Sequence, residues 1–102
     1  TYNLLVNKLP KPLSFEWDKG NIDKNLKKHK VSNKETEEIF FNNPLKMFPD
    51  QKHSEGEKRF IALGITINAR ELAVVFTLRN KNIRIISARN QNKKERKRYE
   101  KK

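Results

Sequence analysis

The strongest constraint on this chain is a succession of three strand-like runs: RFIALGITI (59–67), ELAVVFTLR (71–79) and NIRIISAR (82–89). Each is rich in β-branched and large apolar residues and ends in turn formers. The links between them, around Asn68-Ala69-Arg70 and Asn80-Lys81-Asn82, are too short for a parallel crossover, which takes roughly a dozen residues. The runs are therefore expected to form an antiparallel meander. A meander has one face to bury, so other elements must cover it.

Candidates for that cover lie upstream. In KGNIDKNLKKHK, Ile22 and Leu26 sit one helical turn apart, Asp18 is a possible cap, and Lys24, Lys27, Lys28 and Lys30 make the exposed side basic. VSNKETEEIFF opens with Ser32 and Glu35 at capping-box spacing. That helix is expected to bury Ile39 and either Phe40 or Phe41, and to stop at Asn43-Pro44. FEWD (15–18) and LKMF (45–48) read as short strands, and PDQKHSEGEK as a polar loop. After the meander, Asn92 and Glu95 begin a helix in KKERKRYEKK whose one large apolar residue is Tyr99. The predicted class is α+β: a small antiparallel sheet, the meander plus one or two short strands, with two N-terminal helices and a basic C-terminal helix. Residues 15–102 form the domain, and residues 1–14, with Pro10 and Pro12, form an N-terminal appendage.

The net charge is +12, and it is unevenly placed. Residues 1–57 hold ten lysines and nine acids, whereas residues 58–102 hold fourteen basic residues and three acids. All seven arginines lie in the second part. A guanidinium matches phosphate with two parallel hydrogen bonds, so the segregation points to a polyanion, most simply nucleic acid. An acidic protein partner is the alternative on composition alone.

Other chemistries are excluded. There is no cysteine, hence no disulfide or thiolate site, which fits a cytoplasmic setting. Two histidines, His29 and His53, with scattered carboxylates match no metal-ligand spacing, and three glycines are too few for a phosphate-cradling loop. No apolar stretch reaches the 18 or so residues needed to span a membrane, and TYNLLVNKLP does not read as a signal peptide. No cofactor is expected.

FEWD, NLKKHKVS, EEIFFNNPLKMFPD, HSEGEKRFIALG, VVFTLR and IRIISARNQNKKERKRYE, in this order, resemble the BrnT family of bacterial type II toxins across roughly residues 15–100. The resemblance implies a RelE-like ribonuclease fold and a metal-independent endoribonuclease that inhibits translation. It implies a BrnA-like ribbon-helix-helix antitoxin as partner in a hetero-oligomer and contact with operator DNA only through that antitoxin, and it leaves open whether the ribosome is a further partner. The family usually carries Gly where this chain has Lys30, a position that favours left-handed backbone. It also usually carries an apolar residue where Asn33 stands.

Metal-free RNA cleavage needs a base for the ribose 2′-OH, an acid for the leaving 5′-oxygen and fixed positive charge at the phosphate. Strict alternation along ELAVVFTLR places Ala73, Val75, Thr77 and Arg79 on one face, with the bulkier Leu72, Val74, Phe76 and Leu78 towards the core. The same alternation puts Arg84, Ile86 and Ala88 together, opposite Ile83, Ile85, Ser87 and Arg89. Arg79 and Arg89, at strand ends, are the expected phosphate-stabilising pair, as the resemblance also implies. His53, Glu57 and Arg59, from HSEGEKRF, are the remaining catalytic candidates; Glu57 pairing with Arg59 is the plain structural alternative. Lys24, His29, Arg84, Lys93, Lys94, Arg96 and Tyr99 are candidate RNA contacts, although dipole compensation would account for His29 and packing for Tyr99. A non-catalytic basic module that binds RNA or the ribosome is the competing reading.

Overall fold

The computed structural model describes residues 9, 13–17, 23–50 and 56–101. The elements run β1 (Phe15–Glu16), α1 (Lys24–His29), α2 (Asn33–Glu38), a 3-10 turn (Ile39–Phe41), β2 (Lys46–Pro49), β3 (Arg59–Ile65), β4 (Glu71–Arg79), β5 (Asn82–Asn90) and α3 (Lys93–Glu100). The α+β class and the meander are as the sequence predicts. The sheet is mixed, however, and not purely antiparallel. Its order is β1-β5-β4-β3-β2, and β1 pairs with β5 in parallel. In the chain, two α-helices and strands β2 to β4 lie between β1 and β5, so no hairpin joins β1 to its neighbour.

The β4–β5 hairpin closes on the pair Arg79 and Asn82, with Asn80 and Lys81 at φ 51° and 66°. Two consecutive left-handed residues form the turn whose twist suits a two-residue hairpin, and Asn tolerates that region well. β4 buries Leu72, Val74 and Phe76 as alternation requires. Ile39 and Phe40 meet them there, with Phe40 and Phe60 flanking the Phe76 ring at 5.3 and 5.5 Å. Phe41 is the exposed member of the pair left open by the sequence. Gly64 exists for this contact: a Cβ there would lie 2.7 Å from the Ile39 Cβ. Leu9, Leu13 and Trp17 also join this core, and the Trp17 indole donates to Glu37 at 2.7 Å.

The two expected capping boxes form, Ser32 with Glu35 and Asn92 with Glu95. Asp18 and Ile22 lie outside the described residues. α1 differs from expectation in what it buries: Leu26 is half-exposed and Asn25 is fully buried. Asn25 accepts the Ala88 N–H at 3.1 Å. β1 is too short to pair with β5 that far along, so the Asn25 amide satisfies an edge that would otherwise carry an open donor. Arg70 then locks the helical layer. Its guanidinium donates to the Lys30 and His29 carbonyls, to the Glu35 carboxylate and to Asn90.

α3 crosses the other face of the sheet at one end, burying Tyr99 against Leu63 and Ala73. The Tyr99 hydroxyl donates to the Pro44 carbonyl, and buried Lys46 donates to the Arg98 and Lys101 carbonyls at 3.3 and 2.7 Å. A cation therefore sits at the negative end of this helix. Among the described residues, no helix is long and apolar enough to cross a membrane.

Candidate functional site

The part of the sheet face that α3 leaves open carries a straight cross-strand row. Arg59 of β3 lies opposite Thr77 of β4, which lies opposite Arg84 of β5. Strict alternation on β5 put Arg84 and Arg89 on opposite faces, and this expectation is corrected by a β-bulge. Val75 pairs with Ser87 while Phe76 pairs with Ile85, so Ile86 is an extra residue in β5. One extra residue inverts the parity beyond it. Ile83, Ile85 and Ala88 consequently share the core, and Arg84 and Arg89 share the open face.

A cleft of about 240 Å³ opens over the row, lined by Glu57, Arg59, Thr77, Arg84 and Ile86. Glu57 reaches it from the segment before β3, directly after Gly56, whose φ of 77° lies in the left-handed region that glycine adopts freely. Its partner is Arg79 and not the neighbouring Arg59. The Arg79 guanidinium donates through Nε at 3.2 Å and through Nη2 at 3.1 Å to the two carboxylate oxygens. Both side chains are about two-fifths exposed, at 41% and 42%. Such a pair contributes little stability, roughly 0–1 kcal/mol. It does fix the direction of the carboxylate, which a single hydrogen bond would leave free to rotate.

The far end of the same face is organised by Arg89, opposite Ala73 in the ladder. Its guanidinium forks onto Glu95 at 2.7 and 3.0 Å, and Glu95 also accepts the Asn92 N–H at 2.9 Å. Burial pushes the Glu95 carboxyl up, but Arg89 and the Asn92 N–H outweigh it and hold the group below the ordinary carboxylate range. The hydrogen bonds that Arg89 donates to Glu95 in turn raise the Arg89 pKa. Ala73 and Arg79 are six residues apart on β4, so Arg89 and Arg79 stand about 20 Å apart along the sheet. One phosphate reaches one of them; a nucleotide chain reaches both.

The remaining candidates lie around this face. Lys93, Lys94 and Arg96 are exposed on α3, and Arg96 donates to the Gln91 carbonyl at 2.7 Å. Arg98 covers the Phe48 ring at 3.4 Å, beside a second cleft of about 320 Å³ floored by Ile61 and Leu63. Tyr99 is buried with its hydroxyl engaged, and desolvation first, then Glu71, pushes its pKa up to about 12. Lys24 and His29 belong to α1, held at the β5 edge by the Asn25 bond to Ala88, one residue before Arg89. His53 lies outside the described residues.

Sequence reasoning passed over Thr77 as a site residue and saw neither the Glu57–Arg79 fork nor the Arg89–Glu95 fork. The alternation of ELAVVFTLR already aligned Thr77 with Arg79, and a polar residue between two arginine-bearing strands was the available signal. What the face can do follows from these groups: Arg59 of β3, Arg84 of β5 and a carboxylate oriented by Arg79 of β4 border one cleft, with basic α3 extending the charge along the sheet.

A family model described as ribonuclease toxin, BrnT, of type II toxin-antitoxin system matches residues 17–95. No curated protein matches the chain.

Proposed function

The chain belongs to the BrnT family of type II toxin-antitoxin ribonuclease toxins, and from that premise we propose that it is a metal-independent endoribonuclease whose RNA lies along the open sheet face. The observation that carries the reading is the cleft in which Glu57, Arg59 and Arg84 meet, with Arg79 clamped on Glu57. In the proposed reaction the Glu57 carboxylate takes the proton of a ribose 2′-OH. The 2′-oxygen then forms a bond to phosphorus while the P–O5′ bond breaks and O5′ accepts a proton. His53, four residues before Glu57 in the chain, is the proposed donor of that proton. Arg59 and Arg84 stabilise the charge gathering on the nonbridging oxygens, the role a metal ion plays elsewhere. Arg79 positions Glu57.

Arg89, Lys93, Lys94 and Arg96 carry the flanking backbone in this reading, with Lys24 and His29 at the β5 edge as outlying contacts. Cleavage of cytoplasmic messages, in the presence or absence of ribosomes, then inhibits translation. The proposed antitoxin is BrnA-like, and an acidic or apolar segment of it covers Arg89 and part of 93–102. It brings the toxin to operator DNA through its own ribbon-helix-helix part.

The test is product chemistry. Purified protein incubated with RNA in EDTA is expected to leave 2′,3′-cyclic phosphate and 5′-hydroxyl ends, because the attacking oxygen is internal. Ends bearing a 5′-phosphate, or cleavage abolished by EDTA, would contradict the mechanism. Salt-dependent binding without cleavage, with or without ribosomes, would favour a non-catalytic RNA-binding module.

A further inference from the structure

Of the seven arginines, Arg70, Arg79 and Arg89 are paired with carboxylates, and Arg96 bonds the Gln91 carbonyl. Arg98 is held differently. Its guanidinium lies 3.4 Å over the Phe48 ring, and among the described residues it makes no hydrogen bond or ion pair. The Arg98 carbonyl takes the Lys46 ammonium at 3.3 Å, which pins this part of α3 above β2. The exposed guanidinium therefore has a fixed plane and five N–H donors left to solvent. Stacking on a ring occupies one face of a guanidinium and leaves its in-plane fork ready for a pair of acceptors.

Beside it lies the cleft of about 320 Å³, whose walls include Phe48, Ile61, Leu63, Asp50 and Glu95. That volume is at the small end of ligand pockets, which span roughly 300–1,000 Å³. The floor is apolar and the rim carries two carboxylates. Such a rim repels a phosphate and favours a neutral group that carries N–H donors. Glu95 spends three of its roughly four acceptor positions on Arg89 and the Asn92 N–H, so one remains. The ladder ties this cleft to the arginine cleft. Phe48, Ile61 and Val75 form a half-exposed cross-strand row on the open face. Ile61 is two residues, roughly 7 Å, past Arg59, so this apolar row is the next step along the sheet from the row of Arg59, Thr77 and Arg84.

We propose that this second cleft is a pocket for one unstacked guanine base, in which Arg98 donates to guanine N7 and O6. Guanine is the base that presents two acceptors side by side on one edge, and a guanidinium fork matches them. Its N1–H and amino donors, on another edge, suit the carboxylates of the rim. A forked pair is coplanar, so the plane that Phe48 imposes on Arg98 also sets the plane of the base. The base then lies in the same layer as the guanidinium, over Ile61, with its face on apolar surface instead of water. This deepens the ribonuclease reading and rests on it only for what brings RNA to this face. Arg98 becomes the residue that selects a guanosine beside the bond that is cut.

The experiment is a titration of the full chain with the 5′-monophosphates of guanosine, adenosine, cytidine and uridine, followed by the amide shifts of residues 48, 61 and 98. These probes share the phosphate and differ in the base. The guanosine nucleotide is expected to bind about tenfold more tightly than the others and to move those three amides. Arg98→Lys keeps the charge and loses the fork, so it is expected to bind all four alike while melting as wild type does. Equal binding of the four by wild type overturns the proposal. So does a guanosine preference that survives in Arg98→Lys, or one that moves only other amides. Cleavage is read separately on an RNA of mixed sequence: wild type is expected to cut beside guanosine, and Arg98→Lys to lose that preference. A wild type that prefers the guanosine nucleotide but cleaves no RNA supports the pocket and overturns the ribonuclease reading. Cleavage without regard to base, by a protein with no guanosine preference, does the reverse.

Discussion

Lys30 ends α1 with φ 59° and ψ 33°, a left-handed conformation that a Cβ makes costly. Its N–H returns to the Leu26 carbonyl and that of Val31 to the Asn25 carbonyl, both at 3.1 Å, so the turn is required by the helix end. Lys30→Gly is expected to raise unfolding free energy by about 0.5–1 kcal/mol, read as a higher urea midpoint at unchanged slope. The Lys30 carbonyl bond to Arg70 is a backbone contact and survives the change. This position was legible through the family resemblance, because the family usually carries glycine where this chain has Lys30. Arg70 was not. Its five donors serve partners spread over α1, α2 and β5, and no local pattern encodes bonds of that sequence separation.

At the scale of elements, α3 shows which forces the sequence reveals and which it hides. Asn92 and Glu95, three apart, announced the helix start, and Tyr99 announced its buried side. The clamp that Lys46 places on its last carbonyls, and the fork from Arg89, depend on how the sheet folds under it. The bulge at Ile86 is similar: nothing in NIRIISAR marks the residue that breaks alternation, and one unmarked residue decided where Arg84 points.

Two carboxylates give α3 opposite responses to pH. Glu71 is raised by burial and by Glu100, with which it shares a hydrogen bond, against a smaller pull from Arg96. A raised folded pKa means that its stabilising contribution is present at acid pH and is lost as pH rises through that value. Glu95, held low, stabilises above the ordinary carboxylate range and loses that contribution as pH falls. Glu71→Gln, which imitates the protonated form, is therefore expected to raise the thermal midpoint at pH 7 and to leave it nearly unchanged near pH 4. A melting series across that range checks both halves of the prediction.

The whole molecule is a sheet with two different faces. The helical layer of α1, α2 and the 3-10 turn covers one. The other is half-covered by α3 and otherwise gathers arginines from three strands, so charge segregation along the chain becomes charge segregation in space. Composition made the polyanion partner legible. The positions that share a cleft were not, since they depend on ladder register and on the bulge. Thus Arg79 and Arg89, paired by their strand-end placement in the sequence, stand about 20 Å apart, while Arg59 and Arg84 meet across Thr77.

The most direct test of this account is the single-turnover cleavage rate of Arg84→Ala beside wild type, with Lys27→Ala as a control of equal charge loss outside the arginine cleft. If Arg84 stabilises the reacting phosphate, its loss lowers the rate by about 100-fold or more, while Lys27→Ala stays within a few-fold of wild type. Equal, small losses in both variants would show that the face contributes only general positive charge, and would contradict the assignment of the cleft as the catalytic centre.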